Sequence, residues 1–280
     1  MVKKVLCLGL LILLVACTNV FAGGSGNCIE TARVKSEHLG VGAVAFEYNL
    51  VTERINDLYD GLVDADNIKV EDLSQVYGKI TWGRTTDKIL WLPATDYNLY
   101  FKAGACNYDV KFKDDGVSVK AELESGVYTG VGANALFPLK EVNELCSINW
   151  GGDIQLNCFF NGADDVTRDG ETVNSDGYFY GIDGQIATYV TCNYDIPEIK
   201  TELIPYLGVY YSWIVVGTLA ELDYNVASTA YDESIGGAFD VLSFGMLLGL
   251  DMNITDYLTL NVEGRFIGET ALTTGATFKF

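Results

Sequence analysis

The sequence predicts an all-β chain that folds as a transmembrane, antiparallel, up-and-down β-barrel of about ten strands, within a range of about eight to twelve. Three observations predict this fold. Apolar and polar residues alternate with a period of two, the alternating segments are long enough to cross a bilayer, and the links between them are sorted into short and long. The chain has 280 residues, 49% of them hydrophobic, with 30 glycines and 17 tyrosines. This composition argues against both disorder and a helical bundle.

The alternation is clearest in INWGGDIQLNCFF (148–160), where the even-numbered positions are apolar or glycine and the odd-numbered positions up to Asn157 are polar or glycine. LTLNVEGRF (258–266) repeats the pattern, again with the apolar residues at even positions. Successive side chains of a strand point to opposite faces. Each segment therefore has one apolar and one polar face, as a strand between lipid and a polar lumen requires.

Matching segments to this template predicts about ten strands. Their expected spans are 40–50, 75–84, 97–106, 127–137, 147–160, 179–194, 202–216, 241–252, 257–267 and 271–280. Most are near the roughly 9–11 residues that a tilted strand needs to cross a bilayer. They are longer than the roughly 5–6 residues typical of strands in globular proteins.

The links between the segments alternate in length. If the N-terminus is periplasmic, the outer links are 51–74, 107–126, 161–178, 217–240 and the short 268–270; the inner links are 85–96, 138–146, 195–201 and 253–256. We expect the outer links to be long polar loops, as in the acidic stretch NGADDVTRDGETVNSDG. Short turns on one side and long loops on the other are typical of bacterial transmembrane barrels.

Aromatic residues gather near the ends of the expected strands, which predicts two interfacial girdles. They are Tyr48, Trp82, Tyr97, Phe137, Trp150, Tyr194, Trp213, Phe266 and Phe280.

The N-terminus is typical of a signal for export, with two lysines ahead of an apolar stretch too short to remain as a membrane span. We expect residues 1–22 to be a signal peptide cleaved after Ala22, because a lipid anchor would be redundant for a barrel. The alternative is a lipobox, LVAC, that would leave Cys17 lipidated. An N-terminal segment (23–38) and the barrel (39–280) would follow.

Three segments carry a resemblance: PYLGVYYSW (205–213), MLLGLDMNITDYLTLNVEGRF (246–266) and the terminal TTGATFKF (273–280). They resemble the closing strands of small Gram-negative outer-membrane barrels of the OmpA-like or opacity-protein type. The resemblance implies location in the outer membrane and a C-terminal assembly signal formed by Phe278 and Phe280. The chain departs from that group in its larger expected strand number and its several cysteines.

Composition and residue chemistry limit the expected partners. The net charge of −20 disfavours nucleic acid, because phosphate contacts need a basic surface. Enzymes of this barrel type rely, as the resemblance implies, on a histidine, and the single histidine here is His38, before the first strand. We therefore expect no enzymatic activity and no cofactor. The expected partners are outer-membrane lipid, lipopolysaccharide and the barrel assembly machinery, with the oligomeric state left open.

The alternation places charges of both signs on the inward face: Glu47, Lys79, Lys102, Asp153, Asp183, Asp251, Glu263, Arg265 and Lys279. A surplus of acids in a narrow lumen predicts a porin-like channel for small solutes or cations. The alternative is a non-conducting structural or adhesion barrel, filled by ion pairs and acting through its outer loops. A third interpretation, a lipid-anchored soluble barrel that binds a ligand, follows if Cys17 is the processed residue.

Acidic and cysteine residues suggest two further sites. VDADN (63–67) and GADDVTRDGE (162–171) are acidic but lack calcium-ligand spacing, which favours solvated loops over metal binding. A hairpin centred near residue 169 would bring Cys146 and Cys192 opposite each other near the periplasmic rim. This placement predicts a disulfide in an oxidising compartment.

Overall fold

The computed structural model describes residues 41–54, 69–89, 92–114, 117–168, 170–226, 229–233, 238–267 and 269–280. The expected signal peptide, the N-terminal segment and the acidic stretch 63–67 lie outside these residues. The strands are β1 Val41–Arg54, β2 Lys69–Ile89, β3 Leu92–Asp114, β4 Val117–Leu123, β5 Gly126–Asn143, β6 Cys146–Arg168, β7 Glu171–Ile196, β8 Thr201–Val226, β9 Thr229–Glu233, β10 Ala238–Thr255, β11 Leu258–Phe266 and β12 Glu269–Lys279. The described part contains no helix long and apolar enough to cross a membrane.

Ten of the strands close into an antiparallel barrel, which confirms the predicted fold class. Their order around the barrel is β1, β2, β3, β5, β6, β7, β8, β10, β11 and β12. The last strand returns to the first, and Lys279 lies opposite Ala43 in the closing seam. Closure removes the open sheet edges that could not persist in hydrocarbon.

The two remaining strands, β4 and β9, extend this wall at the end opposite the short inner turns; this end is called the top from here on. β4 pairs with β3 and β6 above β5, and β4 and β5 together form one long strand interrupted at Glu124 and Ser125. The side-chain amide of Asn161 fills the interruption, donating to the backbone carbonyl oxygens of Glu124 at 2.8 Å and Cys106 at 3.0 Å. β9 similarly pairs with β8 above the part of β8 that pairs with β10. Backbone groups left by the β4–β5 break therefore have a side-chain partner.

The expectation of long outer loops is wrong for three of the links, because strands continue through much of 107–126, 161–178 and 217–240. β7 and β8 each contain 26 residues. At about 3.3 Å per residue and a tilt of about 40°, such a strand rises about 65 Å, roughly twice the thickness of the hydrocarbon core. The barrel wall therefore extends well beyond the membrane on this side.

The extension is unevenly distributed around the barrel. β11 and β12 contain 9 and 11 residues, about enough to cross a bilayer once. The inner turns that the structure describes are short, as predicted, and those at Glu144–Leu145 and Asp256–Tyr257 have two residues each. Much of the additional length lies at the outer ends of β2, β3, β6, β7 and β8, and the β2–β3 hairpin is also extended at its inner end, where Lys88 pairs with Pro93.

Residue exposure follows the predicted alternation in the lower part of the wall. On β6, Ile154 is 55% exposed whereas the neighbouring Gln155 is 3% exposed. Several of the predicted girdle residues are exposed on the outside, including Tyr48, Trp82, Trp150, Tyr194 and Phe280. The outer surface here is an apolar belt, which is the surface that lipid solvates.

Candidate functional site in the barrel interior

The structure places all nine predicted charged residues on the inward face. The side chains of Glu47, Lys79, Lys102, Asp153, Asp183, Asp251, Glu263 and Arg265 are buried, and that of Lys279 is half-buried. Seven of them occupy three groups, two near mid-height and one at the mouth formed by the short turns, and Asp183 and Asp251 lie outside these groups. Each group satisfies its charges in a different way.

The first group joins β1, β2 and β3. Lys79 forms an ion pair with Glu47, and the Tyr77 hydroxyl donates to the same carboxylate at 2.7 Å. Lys102 lies directly opposite Lys79 in the sheet, and the two ammonium groups sit 5.2–5.4 Å from the ring centroids of Tyr77 and Tyr100. Aromatic faces and the carboxylate thus offset the repulsion between two buried cations.

The same group reaches across β5 to β6. The Tyr100 hydroxyl donates to the Asp153 carboxylate at 2.9 Å, and Lys102 donates to the Gln155 side-chain oxygen at 2.5 Å. These contacts are made over the intervening strand, where a Cβ added at Gly132 would overlap the Tyr100 ring. Glycine at this position of β5 therefore leaves room for the Tyr100 ring to reach β6.

The second group is centred on Arg265 of β11, which is completely buried. Its Nε lies 3.4 Å from Glu269 and 3.8 Å from Glu263. Its two terminal nitrogens donate to Asn49 of β1 at 3.1 Å and to Gln185 of β7 at 3.2 Å. Because β7 is three strands away from β11 around the wall, the guanidinium spans the lumen and holds both sides together.

The third group lies at the periplasmic mouth. The Glu202 carboxylate accepts hydrogen bonds of 2.7 Å from both Asn193 and Asn253, and Lys279 donates to the Asn253 side-chain oxygen at 3.1 Å. Asn149 extends the chain by donating to Asn193 at 2.6 Å. Side chains of β6, β7, β8, β10 and β12 are thereby joined in one hydrogen-bonded belt.

The two remaining predicted acids each bind an amide. Asn157 donates to Asp183 at 2.6 Å, and Asn261 donates to Asp251 at 3.3 Å. Both carboxylates therefore have a hydrogen-bond donor within the barrel, as buried ionisable groups require.

An apolar cluster lies above these polar layers. It consists of Val70, Leu73, Tyr77, Cys106, Tyr108, Val110, Val119, Ala121, Leu123, Tyr128, Phe159, Val166, Phe179, Ile214 and Val216, each at most 4% exposed. Cores packed in this way leave few voids larger than a water molecule. We call this cluster the cap.

The cap and the polar layers meet at a level where the polarity of the wall inverts. On β3, the inward residue Lys102 gives way to Tyr108 and Val110, while the outward residue Phe101 gives way to Asp109. Below this level the wall is apolar outside and polar inside; above it the arrangement is that of a water-soluble protein. The membrane therefore surrounds only the lower part.

Register irregularities interrupt several strands of the wall. They lie between Val51 and Glu53 on β1, Glu71 and Ser74 on β2, Gly162 and Asp165 on β6, Asp176 and Tyr178 on β7, and Asp240 and Ser243 on β10. An extra residue bends a strand and changes which side chains face inward. Across the irregularity the buried positions change parity on β2, from Leu73 to Val70, and on β6, from Asn161 to Val166.

The outer face just above the inversion is hydrophilic. Lys120 of β4 forms ion pairs with Asp109 at 2.7 Å and Glu122 at 2.8 Å. The hydrogen bonds donated to these two carboxylates raise the pKa of Lys120 above its ordinary value.

The expectation of a solvated loop at 162–171 is wrong, since most of this stretch belongs to β6 and β7. Among the described residues, no three His, Cys, Asp or Glu side chains are grouped to hold a metal.

The predicted cysteine pair is close but not directly opposite. Cys146 lies opposite Tyr194, and Cys192 lies opposite Ile148, so the expected register is wrong by two residues. The two Sγ atoms are nevertheless 3.5 Å apart, and both cysteines are free thiols in the structure. Half of the difference is already present beside the turn, where Arg168 lies opposite Glu171, and the register shift between Gly162 and Asp165 adds the other half.

The C-terminal aromatic residues lie outside the barrel. Phe278 is 49% and Phe280 74% exposed, consistent with the outward parity assigned to them. The backbone N–H of Phe280 donates to the carbonyl oxygen of Gly42 at 3.0 Å, and a Cβ at Gly42 would lie 2.5 Å from the Phe280 ring. The last residue thus crosses the seam between β12 and β1.

Several residues that complete these groups are not among those predicted from the sequence. Glu269 lies in the expected short outer link 268–270, although it begins β12 and contacts Arg265. Tyr77 and Tyr100 were not singled out, although their hydroxyls bind buried carboxylates. Their positions on the inward parity of their strands were the only available signal.

The geometry defines a class: a closed transmembrane β-barrel with a packed interior. No family model and no curated protein matches the chain by sequence, so the OmpA-like resemblance stays a prediction.

Solved structures of outer-membrane barrels are similar in fold. The transport unit of the autotransporter AIDA-I from Escherichia coli is 13% identical, with a TM-score of 0.37 over 90% of this chain and 93% of that chain. The COG4313 outer membrane channel from Pseudomonas putida F1 is 12% identical, with a TM-score of 0.33 over 90% of this chain and 100% of that chain. A mutant Rh. blastica porin is 10% identical, with a TM-score of 0.20 over 86% and 99%. These likenesses concern the fold alone.

Proposed function

We propose that the protein is a non-conducting barrel of the bacterial outer membrane that holds a folded extension at the cell surface. The observation that carries this proposal is that two successive layers fill the interior, the polar layers and the cap above them. Lys79, Lys102, Glu263 and Arg265 are inaccessible to solvent in the polar layers, and the cap lies above them. A conducting lumen needs a continuous water-filled path, which these layers do not leave.

The shape of the wall supports a role outside the membrane. The extended strands β2 to β8 rise from one side and enclose an apolar core of their own, which irregular loops would not need. A rigid platform of this kind presents fixed positions for recognition. This platform would bind molecules outside the cell, in keeping with the structural or adhesion barrel that the sequence offers as the alternative to a channel.

The apolar belt supports the location and the partners. Outer-membrane lipid would contact the belt, and lipopolysaccharide headgroups would lie near the polar residues above it. The barrel assembly machinery would bind the C-terminal strand, with Phe278 and Phe280 as its signal.

A second candidate is the narrow channel for cations or small solutes. It is favoured by the surplus of inward-facing acids, which make up five of the nine predicted charged residues: Glu47, Asp153, Asp183, Asp251 and Glu263. Conduction would require Arg265 to leave its contacts with Asn49 and Gln185, because these contacts cross the lumen.

Planar-bilayer recording separates the two candidates. We expect the refolded protein, fluorescently labelled so that insertion can be counted, to give no conductance steps above background. A general porin inserted under the same conditions serves as the positive control. Steps with a reversal potential indicating cation selectivity would overturn the non-conducting assignment and support the channel.

A further inference from the structure

Among the cysteines that the structure describes, one pair is placed to react. Cys146 and Cys192 have their Sγ atoms 3.5 Å apart on neighbouring strands. Cys106 is buried inside the wall, where its thiol donates to the Asn161 side chain at 3.3 Å. Cys158 lies on the outward parity of β6, twelve positions along the strand from Cys146 and far from either member of the pair.

We propose that Cys146 and Cys192 form a disulfide that closes the periplasmic end of the β6–β7 hairpin. The sulfur atoms must approach by about 1.5 Å to reach the bond length of about 2.05 Å. The two residues are diagonal rather than opposite, and the 3.5 Å between their sulfur atoms shows that the side chains lean toward each other.

The position of the pair makes it accessible to an oxidant in water. Trp150 lies on the outward face of β6 at the expected interface, and Cys146 is four residues closer to the Glu144–Leu145 turn. Four residues correspond to about 13 Å along the strand. Both thiols are half-buried rather than enclosed. Cys192 lies opposite Ile148, two residues or about 7 Å from the Trp150 level, so the pair lies between that level and the Glu144–Leu145 turn.

The reaction is a thiol–disulfide exchange. Two S–H bonds break and one S–S bond forms, while two electrons and two protons pass to the disulfide of a periplasmic thiol oxidoreductase, which is released as a dithiol. The bond would tie together the two strands that carry much of the extension. The inference rests on the proposed outer-membrane location, because this end of the hairpin must face an oxidising compartment.

Peptide mapping under non-reducing conditions tests the bond. The full chain is expressed in a Gram-negative host, recovered from the outer-membrane fraction, denatured with an alkylating agent, and digested. We expect a linked pair of peptides containing Cys146 and Cys192, released by reduction. C146S should leave Cys192 fully alkylated, whereas the matched control C158S should retain the linked pair. Complete alkylation of both cysteines in the wild-type protein before reduction would overturn the proposal.

A second arm separates this proposal from the location on which it rests. If the protein is absent from the outer-membrane fraction, the location fails. Protein refolded in detergent in a buffer of oxidised and reduced glutathione is then mapped in the same way. A linked pair there supports the geometry of the site, and its absence overturns the disulfide independently of the compartment.

Discussion

Replacing Arg265 by methionine is expected to lower the free energy of unfolding by about 3–5 kcal/mol, the cost of removing one member of a buried charged group. Methionine has a similar length but supplies no donor. It would leave Glu263 and Glu269 without the guanidinium that lies 3.8 Å and 3.4 Å from them. The contacts across the lumen to Asn49 and Gln185 would be lost as well.

Urea unfolding in detergent, followed by the mobility shift on unheated gels, measures the loss. R265K keeps the charge but not the planar guanidinium with its several N–H donors, so its free energy of unfolding should lie between those of wild type and R265M. Adding E263Q and E269Q to R265M should restore part of the stability, since neither position then carries a buried negative charge beside the missing guanidinium. The exposed Lys140 provides the control, and K140M should change stability by no more than about 0.5 kcal/mol. R265M within about 1 kcal/mol of wild type would mean that water reaches the glutamates and the interior is not closed.

Deleting Phe280 is expected to reduce the assembled protein in the outer membrane at least several-fold. The deletion removes the hydrogen bond to the Gly42 carbonyl oxygen and the aromatic ring that covers Gly42 at the seam. The seam then loses its periplasmic end, where closure of β12 onto β1 must be completed. Quantitative blotting of the outer-membrane fraction measures the effect, with Phe280→Tyr as a variant that keeps the ring.

Refolding in vitro distinguishes the two roles that Phe280 could have. If the residue closes the seam, the deletion should also slow folding into detergent micelles, where no assembly machinery is present. Normal refolding combined with poor assembly in cells would limit its role to the assembly signal. Wild-type amounts of the deletion variant in the outer membrane would contradict both roles.

The membrane-spanning part of the fold could be predicted because one physical rule governs each residue there. Between lipid and lumen, parity alone decides polarity, and Ile154 and Gln155 follow the rule. The extension was missed because the rule inverts. On β3 the apolar residues change from odd positions, such as Phe101, to even positions, such as Val110. A strand predicted from apolar residues at one parity therefore ends where the parity changes, before the extension begins.

The interior charges could be assigned to the lumen, but their partners could not be identified from the sequence. Arg265 and Gln185 are 80 residues apart and lie three strands from each other around the wall. Their contact depends on the stagger of all the strands between them, which local patterns do not determine. The same holds for Tyr100 and Asp153, which meet only because Gly132 leaves space between them.

The central claim is that the wall inverts its polarity at one level, so that lipid surrounds only the part with the polar interior. Paramagnetic relaxation enhancement of the backbone amide signals, measured by NMR on the wild-type protein in detergent micelles, tests this claim most directly. Doxyl-labelled fatty acid should broaden the amide signals of β3 from Leu99 to Ala105, and a water-soluble gadolinium chelate should broaden those from Asn107 to Lys111. Broadening of Lys111 by the lipid probe, or of Phe101 by the aqueous probe, would contradict the account.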